Sequence, residues 1–273
     1  MSDIARRLRV REGKLRLARF DPDSTPGCKS KQEGLRRLVK NLERIDEMQY
    51  RLYAEGRRSL LIVLQGMDTS GKDGVIRKVM NAFNAQSCKV WSFKVPTPEE
   101  AAHDFLWRIH RATPGKGEVA IFNRSHYEDV LVVRVHELVP KPVWLERYGA
   151  INAFERFLDE NHTRVLKFFL HIGREEQRQR LLARLEEPGK HWKFSAADLS
   201  ERTLWKKYQG AYEDALSRCC SDRAPWFIIP ADHKWYRDLA ISEIVAEVME
   251  DMDPKPPKVK LDVKKLRAAL ARP

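Results

Sequence analysis

The sequence predicts an α/β fold: a three-layer sandwich with a five-stranded parallel sheet between helices. Three observations carry this. Short apolar segments at residues 60–65, 89–94, 118–123, 166–172 and 226–230 alternate with helical patterns, as parallel strands joined by crossover helices must. The first segment runs directly into Gly66-Met-Asp68-Thr69-Ser70-Gly71-Lys72-Asp73-Gly74, a glycine-rich turn opening a helix. A chain of 273 residues that is 42% hydrophobic can bury a substantial core, as one α/β domain or two small ones.

Taken in order, residues 1–30 form a basic arm, read as irregular through Gly27. Leu35, Leu38, Leu42, Ile45 and Met48 or Gln49 then recur at helical spacing, giving a long amphipathic helix over 31–56. Residues 75–83 form the amphipathic helix after the glycine-rich turn. Thr97 offers a hydroxyl cap, Pro98 fits the first turn, and Glu99 and Glu100 suit the positive end of a helix dipole, so a helix is expected from 97 to about 111. Residues 174–187 are helical and crowded with Arg174, Arg178, Arg180 and Arg184. They lead into Glu187-Pro188-Gly189, and a Pro-Gly break beside a basic helix reads as the hinge of a mobile lid at about 174–200. The catalytic domain is placed at 31–252. A basic tail over 253–273 is extended through its prolines, with a short helix from about Val263.

Fifty-one Lys and Arg against 39 Asp and Glu leave a formal charge of +12, which favours polyanionic partners: nucleic acid, nucleotides or inorganic polyphosphate. No RNP, KH, zinc-finger or helix-turn-helix pattern is present, so the reading includes no nucleic acid. Cys28, Cys88, Cys219 and Cys220 show no C-x-x-C spacing and read as reduced thiols. Residues 1–19 are too charged for a signal peptide, and no apolar run approaches the roughly 18 residues that cross a bilayer. The expected location is cytoplasmic, with no membrane partner.

Gly66, Gly71 and Lys72 meet the G-x-x-x-x-G-K spacing, in which residues without a Cβ let backbone approach phosphate and a cation follows. Asp73 stands where Ser or Thr would place a hydroxyl on a metal, and Asp68 lies inside the loop. Carboxylates there repel phosphate unless a metal lies between. The third strand ends in Asn123-Arg124-Ser-His126-Tyr-Glu128-Asp129, where ligands bind in open α/β sheets. Glu128 and Asp129 suit a metal-assisted site better than the competing role of helix N-terminal acids. His126 is read as a structural hydrogen-bonding residue, and most of the seven tryptophans as core. Arg178 and Arg184, just before the hinge, offer mobile cations for phosphate oxygens.

Gly66 to Gly74, Phe122-Asn-Arg-Ser-His-Tyr-Glu-Asp129, and Arg180-Leu-Leu-Ala-Arg184 through Lys190-His-Trp-Lys-Phe-Ser195 together resemble the second polyphosphate kinase family, over about residues 31–252. The resemblance implies a P-loop kinase-like fold with an arginine-bearing helical lid. It implies phosphoryl transfer between inorganic polyphosphate and nucleotides, without a phosphoenzyme. Asn123 at the head of the second motif is similar to the class III subgroup, which accepts AMP and ADP; AMP-only or ADP-only transfer and an ATP-dependent nucleoside monophosphate kinase are the alternatives. The expected cofactor is Mg²⁺, with Mn²⁺ as a substitute, and the acceptors are adenine nucleotides, with guanine nucleotides as a further option. A dimer or tetramer is expected. In the resulting site Gly66, Thr69, Ser70, Gly71, Lys72, Asp73, Gly74 and Asn123 cradle phosphate, while Asp68 and Asp129 hold the metal. Glu128 lies near the acceptor, and Arg124, Arg178 and Arg184 clamp the nucleotide.

Overall fold

The computed structural model describes residues 1–271. Its helices are α1 (Asp3–Leu8), α2 (Lys31–Glu55), α3 (Lys72–Lys78), α4 (Pro98–Ala101), α5 (Trp107–His110), α6 (Val132–Val135), α7 (Lys141–Glu160), α8 (Arg174–Glu186), α9 (Ala196–Thr203), α10 (Trp205–Arg218), α11 (Lys234–Met252) and α12 (Val263–Leu270). Five strands alternate with them: β1 (Ser59–Gly66), β2 (Cys88–Ser92), β3 (Val119–Asn123), β4 (Thr163–His171) and β5 (Trp226–Pro230). Every strand pair is parallel, in the order β2-β3-β1-β4-β5.

β1 is buried along its whole length, because both faces of a parallel sheet are covered by crossover helices. Leu60, Ile62 and Leu64 face one core with α2 and α11; Leu61 and Val63 face the other with α7 and α10. This is the three-layer sandwich the alternation predicts. The register sets Leu64 beside Asn123 of β3 and Gly66 beside Leu170 of β4. Strand order therefore reverses at β1, and the crevice beyond its carboxyl end is where such sheets bind ligands.

α2 begins at Ser30, whose hydroxyl accepts from the Glu33 amide, and ends at Gly56 in the left-handed conformation. It packs along α11 and is tied to it by Arg37–Glu243 at 2.6 Å.

Three elements differ from the sequence reading. The expected helix over 97–111 is split: the Thr97–Glu100 capping box forms, but α4 ends at Ala101. The Asp104 carboxylate accepts from the Leu106 amide at 2.9 Å and diverts the backbone into a turn before α5. The arm, read as irregular, is ordered by its own apolar residues. Ile4, Leu8, Val10 and Leu17 are buried, and the Val10 amide donates to the Trp226 carbonyl at 2.9 Å, laying the arm against β5. The helix after the glycine-rich turn starts earlier than expected, at Lys72, and tightens into a 3₁₀ turn at Met80–Ala82.

Among the described residues no helix is long and apolar enough to cross a membrane. All four cysteines are free, and burial pushes the Cys88 and Cys219 thiols up to about 12, so neither is a nucleophile.

Candidate active site

The loop between β1 and α3 has a shape that only its glycines permit. A Cβ on Gly66 would lie 2.6 Å from the Ser70 hydroxyl and 2.8 Å from the Leu170 carbonyl oxygen. Gly71 has φ +103°, and a Cβ there would meet the Arg237 guanidinium at 1.9 Å. Gly71→Ala should therefore lower both melting temperature and turnover. Gly189→Ala, with nothing within 4 Å of the added Cβ, should change neither, as thermal denaturation and initial rates would show.

Lys72 folds back across the loop, its Nζ donating to the Gly66 carbonyl at 2.7 Å and that of Met67 at 3.3 Å. Burial, then the Arg124 charge, push its ammonium below the ordinary lysine range. Arg124 adopts φ +62° just past β3. This aims its guanidinium between two acids, 3.2 Å from Asp68 Oδ1 and 3.7 Å from Glu128 Oε2. Burial opposes the charge on Arg124, yet Glu128 and Asp68 outweigh it and hold the guanidinium above its usual value. The Gln65 amide donates to Glu128 Oε1 at 3.1 Å, and burial raises the Glu128 carboxyl against the pull of Arg124. Asn123 Nδ2 donates to Asp73 Oδ1 at 2.9 Å. An aspartate at 123 would set two carboxylates face to face, so Asn123 and Asp73 form a matched pair. The Thr69 and Ser70 hydroxyls are buried without a hydrogen-bond partner among the described residues, a cost that a bound ligand would offset.

A cavity of about 390 Å³ opens against Gly66, Met67 and Asp68, within the size range of small-molecule sites. Arg124 and Glu128 supply its charge, Trp205, Tyr208 and Tyr212 of α10 form an aromatic wall, and α9 contributes Glu201. Glu201 accepts from Tyr208 Oη at 2.7 Å and pairs with His136 Nε2 at 2.9 Å, latching α9 across the opening.

Not every expected residue reaches this cavity. Asp129 is turned away, its carboxylate 3.0 Å from Arg147 Nη1, and it does not line the cavity. Burial raises it to about 6 against the opposing pull of Arg147 and Arg108. The structure thus brings Glu128, rather than Asp129, into one cavity with Asp68. Arg178 lies on the exposed face of α8 and pairs with Glu175 at 2.6 Å, the ordinary fate of a helical charge run. Arg184 donates to the Lys193 carbonyl at 3.0 Å and lies 3.4 Å from Asp198, stapling the end of α8 to the segment that follows it.

Sequence reasoning gave no role to two arginines, Arg180, named there only as part of a basic helix and a motif, and Arg237. Arg180 donates to the Thr69 carbonyl at 2.9 Å and to those of Ala231 and Asp232 at 2.7 and 2.9 Å, tying the phosphate loop to the end of β5. Its signal was present: Gln177, Arg180, Leu181 and Arg184 share one face of α8, and Gln177 and Leu181 are buried. Arg237 of α11 lies beneath Gly71 and Gly74 and pairs with Asp238 at 2.7 Å. No local pattern marks it. His126 is buried and paired with Glu155 at 3.2 Å, as a structural histidine.

Residues 28–257 match the family described as Polyphosphate kinase 2 (PPK2). The chain is 50% identical, over 88% of its length and 91% of the relative's, to the AMP/ADP-polyphosphate phosphotransferase of Meiothermus ruber. It is 45% identical to the ADP-polyphosphate phosphotransferase of Rhodopseudomonas palustris, over 90% of each chain. The crystal structure of Polyphosphate Kinase 2 from Arthrobacter aurescens TC1 superposes with a TM-score of 0.96 at 41% identity, covering 100% of this chain and 98% of that one. With its phosphate loop, Asn123–Asp129 turn and arginine-rich helix α8 beside a parallel sheet of this order, the chain belongs to the polyphosphate kinase 2 family.

Proposed function

We propose that this protein transfers the terminal phosphoryl group of inorganic polyphosphate to AMP and ADP, giving ADP and ATP, in a reversible Mg²⁺-dependent reaction. The observation that carries the acceptor range is the 50% identity, across most of both chains, with a relative named for both AMP and ADP. The geometry supports it. A nucleotide-sized cavity with an aromatic wall lies against the phosphate loop, with Arg124 at the junction.

The residues present fit Mg²⁺. Asp68 and Glu128 offer hard carboxylate oxygens flanking Arg124, close enough that Asp68 helps raise Glu128, and the unpartnered Thr69 and Ser70 hydroxyls lie in the same loop. When bound, the cation supplies charge neutralisation on phosphate oxygens. The chain does the rest by positioning. Lys72 leaves the Gly66 and Met67 carbonyls for a phosphate oxygen, and Arg124 fixes the acceptor phosphate between the two acids. Arg180 keeps the loop rigid, and α9 closes the cavity against water. Positioning and fixed charge suffice, since a phosphate oxygen is already an adequate nucleophile. A homo-oligomer in the cytoplasm belongs to the same reading.

The test is AMP with long-chain polyphosphate and Mg²⁺, with nucleotides resolved by chromatography. ADP should appear first and ATP follow. Arrest at ADP would mean AMP-only transfer, and AMP left untouched while ADP is consumed would mean ADP-only transfer. Activity with ATP alone as donor would mean an ordinary nucleoside monophosphate kinase.

A further inference from the structure

Residues 1–20 carry seven basic and two acidic side chains, and they precede residues 28–257, which the family model matches. This is no floppy basic tail. Ile4, Ala5, Leu8, Val10, Leu15 and Leu17 are buried, so the intervening cations are held outward at fixed positions. Backbone bonds complete the anchoring: Leu15 N donates to Ser217 Oγ at 3.1 Å and Leu17 N to Glu213 Oε1 at 2.8 Å. The arm encloses an open groove of about 480 Å³ whose basic lining includes Arg7, Arg11, Lys14 and Arg19.

The existing acids do not cancel this charge. Arg6 and Arg7 share the single carboxylate of Asp3, Arg9 pairs with Asp222, and Arg16 stands 3.7 Å from Glu213. Arg11, Lys14 and Arg19 form no ion pair among the described residues. The arm also ends close to the active site. Phe20 O lies 3.0 Å from His171 Nε2, and Asp232 N donates to Pro22 O at 3.1 Å. Asp232 is held by the same Arg180 that holds Thr69 of the phosphate loop.

We propose that the N-terminal arm is a second binding site for linear polyphosphate, engaging chain segments distant from the reacting end. The inference rests on polyphosphate being the donor. A pre-organised row of cations loses less entropy on binding a polyanion than a mobile tail. A donor tethered there has a raised effective concentration at the phosphate loop. Nucleic acid is the poorer occupant, because residues 1–19 contain no aromatic side chain on which a base could stack. Asp21 and Asp23 follow the arm in the chain, and Asp23 pairs with His233 at 3.0 Å, beside the Asp232 that Arg180 holds, so the two sites are separate anchors and only a chain long enough to reach both gains.

The experiment compares wild type with the triple variant Arg11→Ala/Lys14→Ala/Arg19→Ala, using long-chain polyphosphate and hexaphosphate as donors to AMP. All three residues are exposed and outside the catalytic machinery, so melting temperature and kcat should hold. The KM for long-chain donor should rise about tenfold while that for hexaphosphate stays unchanged. The salt slope of long-chain affinity should fall by about one for each cation removed, and Arg11→Lys/Arg19→Lys should behave as wild type. Equal KM values for the long donor in variant and wild type would overturn the proposal. So would a parallel rise for both donors, or duplex DNA displacing the long chain as effectively per phosphate as polyphosphate itself. Absence of transfer from any polyphosphate in the wild type would instead refute the donor assignment, a different failure.

Discussion

Lys72→Ala should lower kcat by about 100-fold or more while leaving the melting temperature nearly unchanged, because it removes a cation from the transferring phosphate rather than a core contact. Among the described residues the Nζ is held only by the carbonyls of Gly66 and Met67. Losing a hydrogen bond of that kind costs about 0.5–1.5 kcal/mol, within the stability margin of a domain this size. Charge loss in the transition state is not replaceable by water. Lys72→Arg should rescue poorly, since a planar fork cannot fold back across so tight a loop. The depressed ammonium adds a second readout: without substrate Lys72 loses its proton earlier than an ordinary lysine as pH rises, and bound phosphate opposes that loss. The alkaline limb of kcat should therefore lie above that of kcat/KM. Turnover near wild type in a well-folded Lys72→Ala protein would remove Lys72 from the mechanism.

Much of the fold was legible because its elements are locally determined. The continuous apolar run of β1, the capping box at Thr97 and the leucine spacing of α2 each state their element in a few residues, and all three form. The sandwich follows from their alternation. The break at Asp104 was less visible, because a side-chain cap competing with the helix is a matter of a single carboxylate. The ordered arm was hidden for another reason: its arginines dominate the composition, while Ile4, Leu8 and Val10 find their partners on elements more than 200 residues away.

The site was legible where backbone chemistry dictates sequence and illegible where partners decide. Gly66 and Gly71 are required by their own conformation and close approaches, and the motif names them. Among arginines the motif is silent. Arg178, Arg180 and Arg184 share one short helix, yet one meets Glu175, one the phosphate loop and one the Lys193 carbonyl. Only the rotation of α8 against the sheet separates them. Arg184→Ala would on this geometry loosen the packing of α8 against residues 193–198 rather than strip a charge from the cavity. Adjacent acids show the same limit. Glu128 and Asp129 are equivalent as letters, but the 3₁₀ turn His126–Asp129 sends one toward Arg124 and the other toward Arg147.

That divergence gives the second large expected effect. Asp68→Asn should raise the Mg²⁺ concentration needed for half-maximal rate by about tenfold or more and lower the maximal rate, because a neutral amide is a poor ligand for a hard cation. Asp129→Asn should leave the Mg²⁺ titration as in wild type, since its carboxylate is engaged by Arg147 outside the cavity. The Asp129 substitution should register instead in stability. Its carboxyl is raised from 3.8 to about 6 in the folded protein, so the stability it contributes is fully present below 3.8 and is lost as pH rises through about 6. An asparagine, which cannot ionise, escapes that loss. Relative to wild type, the melting temperature of Asp129→Asn should therefore climb between about pH 4 and pH 6 and level off above that, while its metal dependence stays fixed. A rightward shift of the Mg²⁺ curve in Asp129→Asn, with Asp68→Asn unaffected, would reverse the assignment and require the turn at 126–129 to rotate when substrate binds. If neither curve moves, the metal is held by phosphate oxygens and other loop groups, and Asp68 serves to aim Arg124.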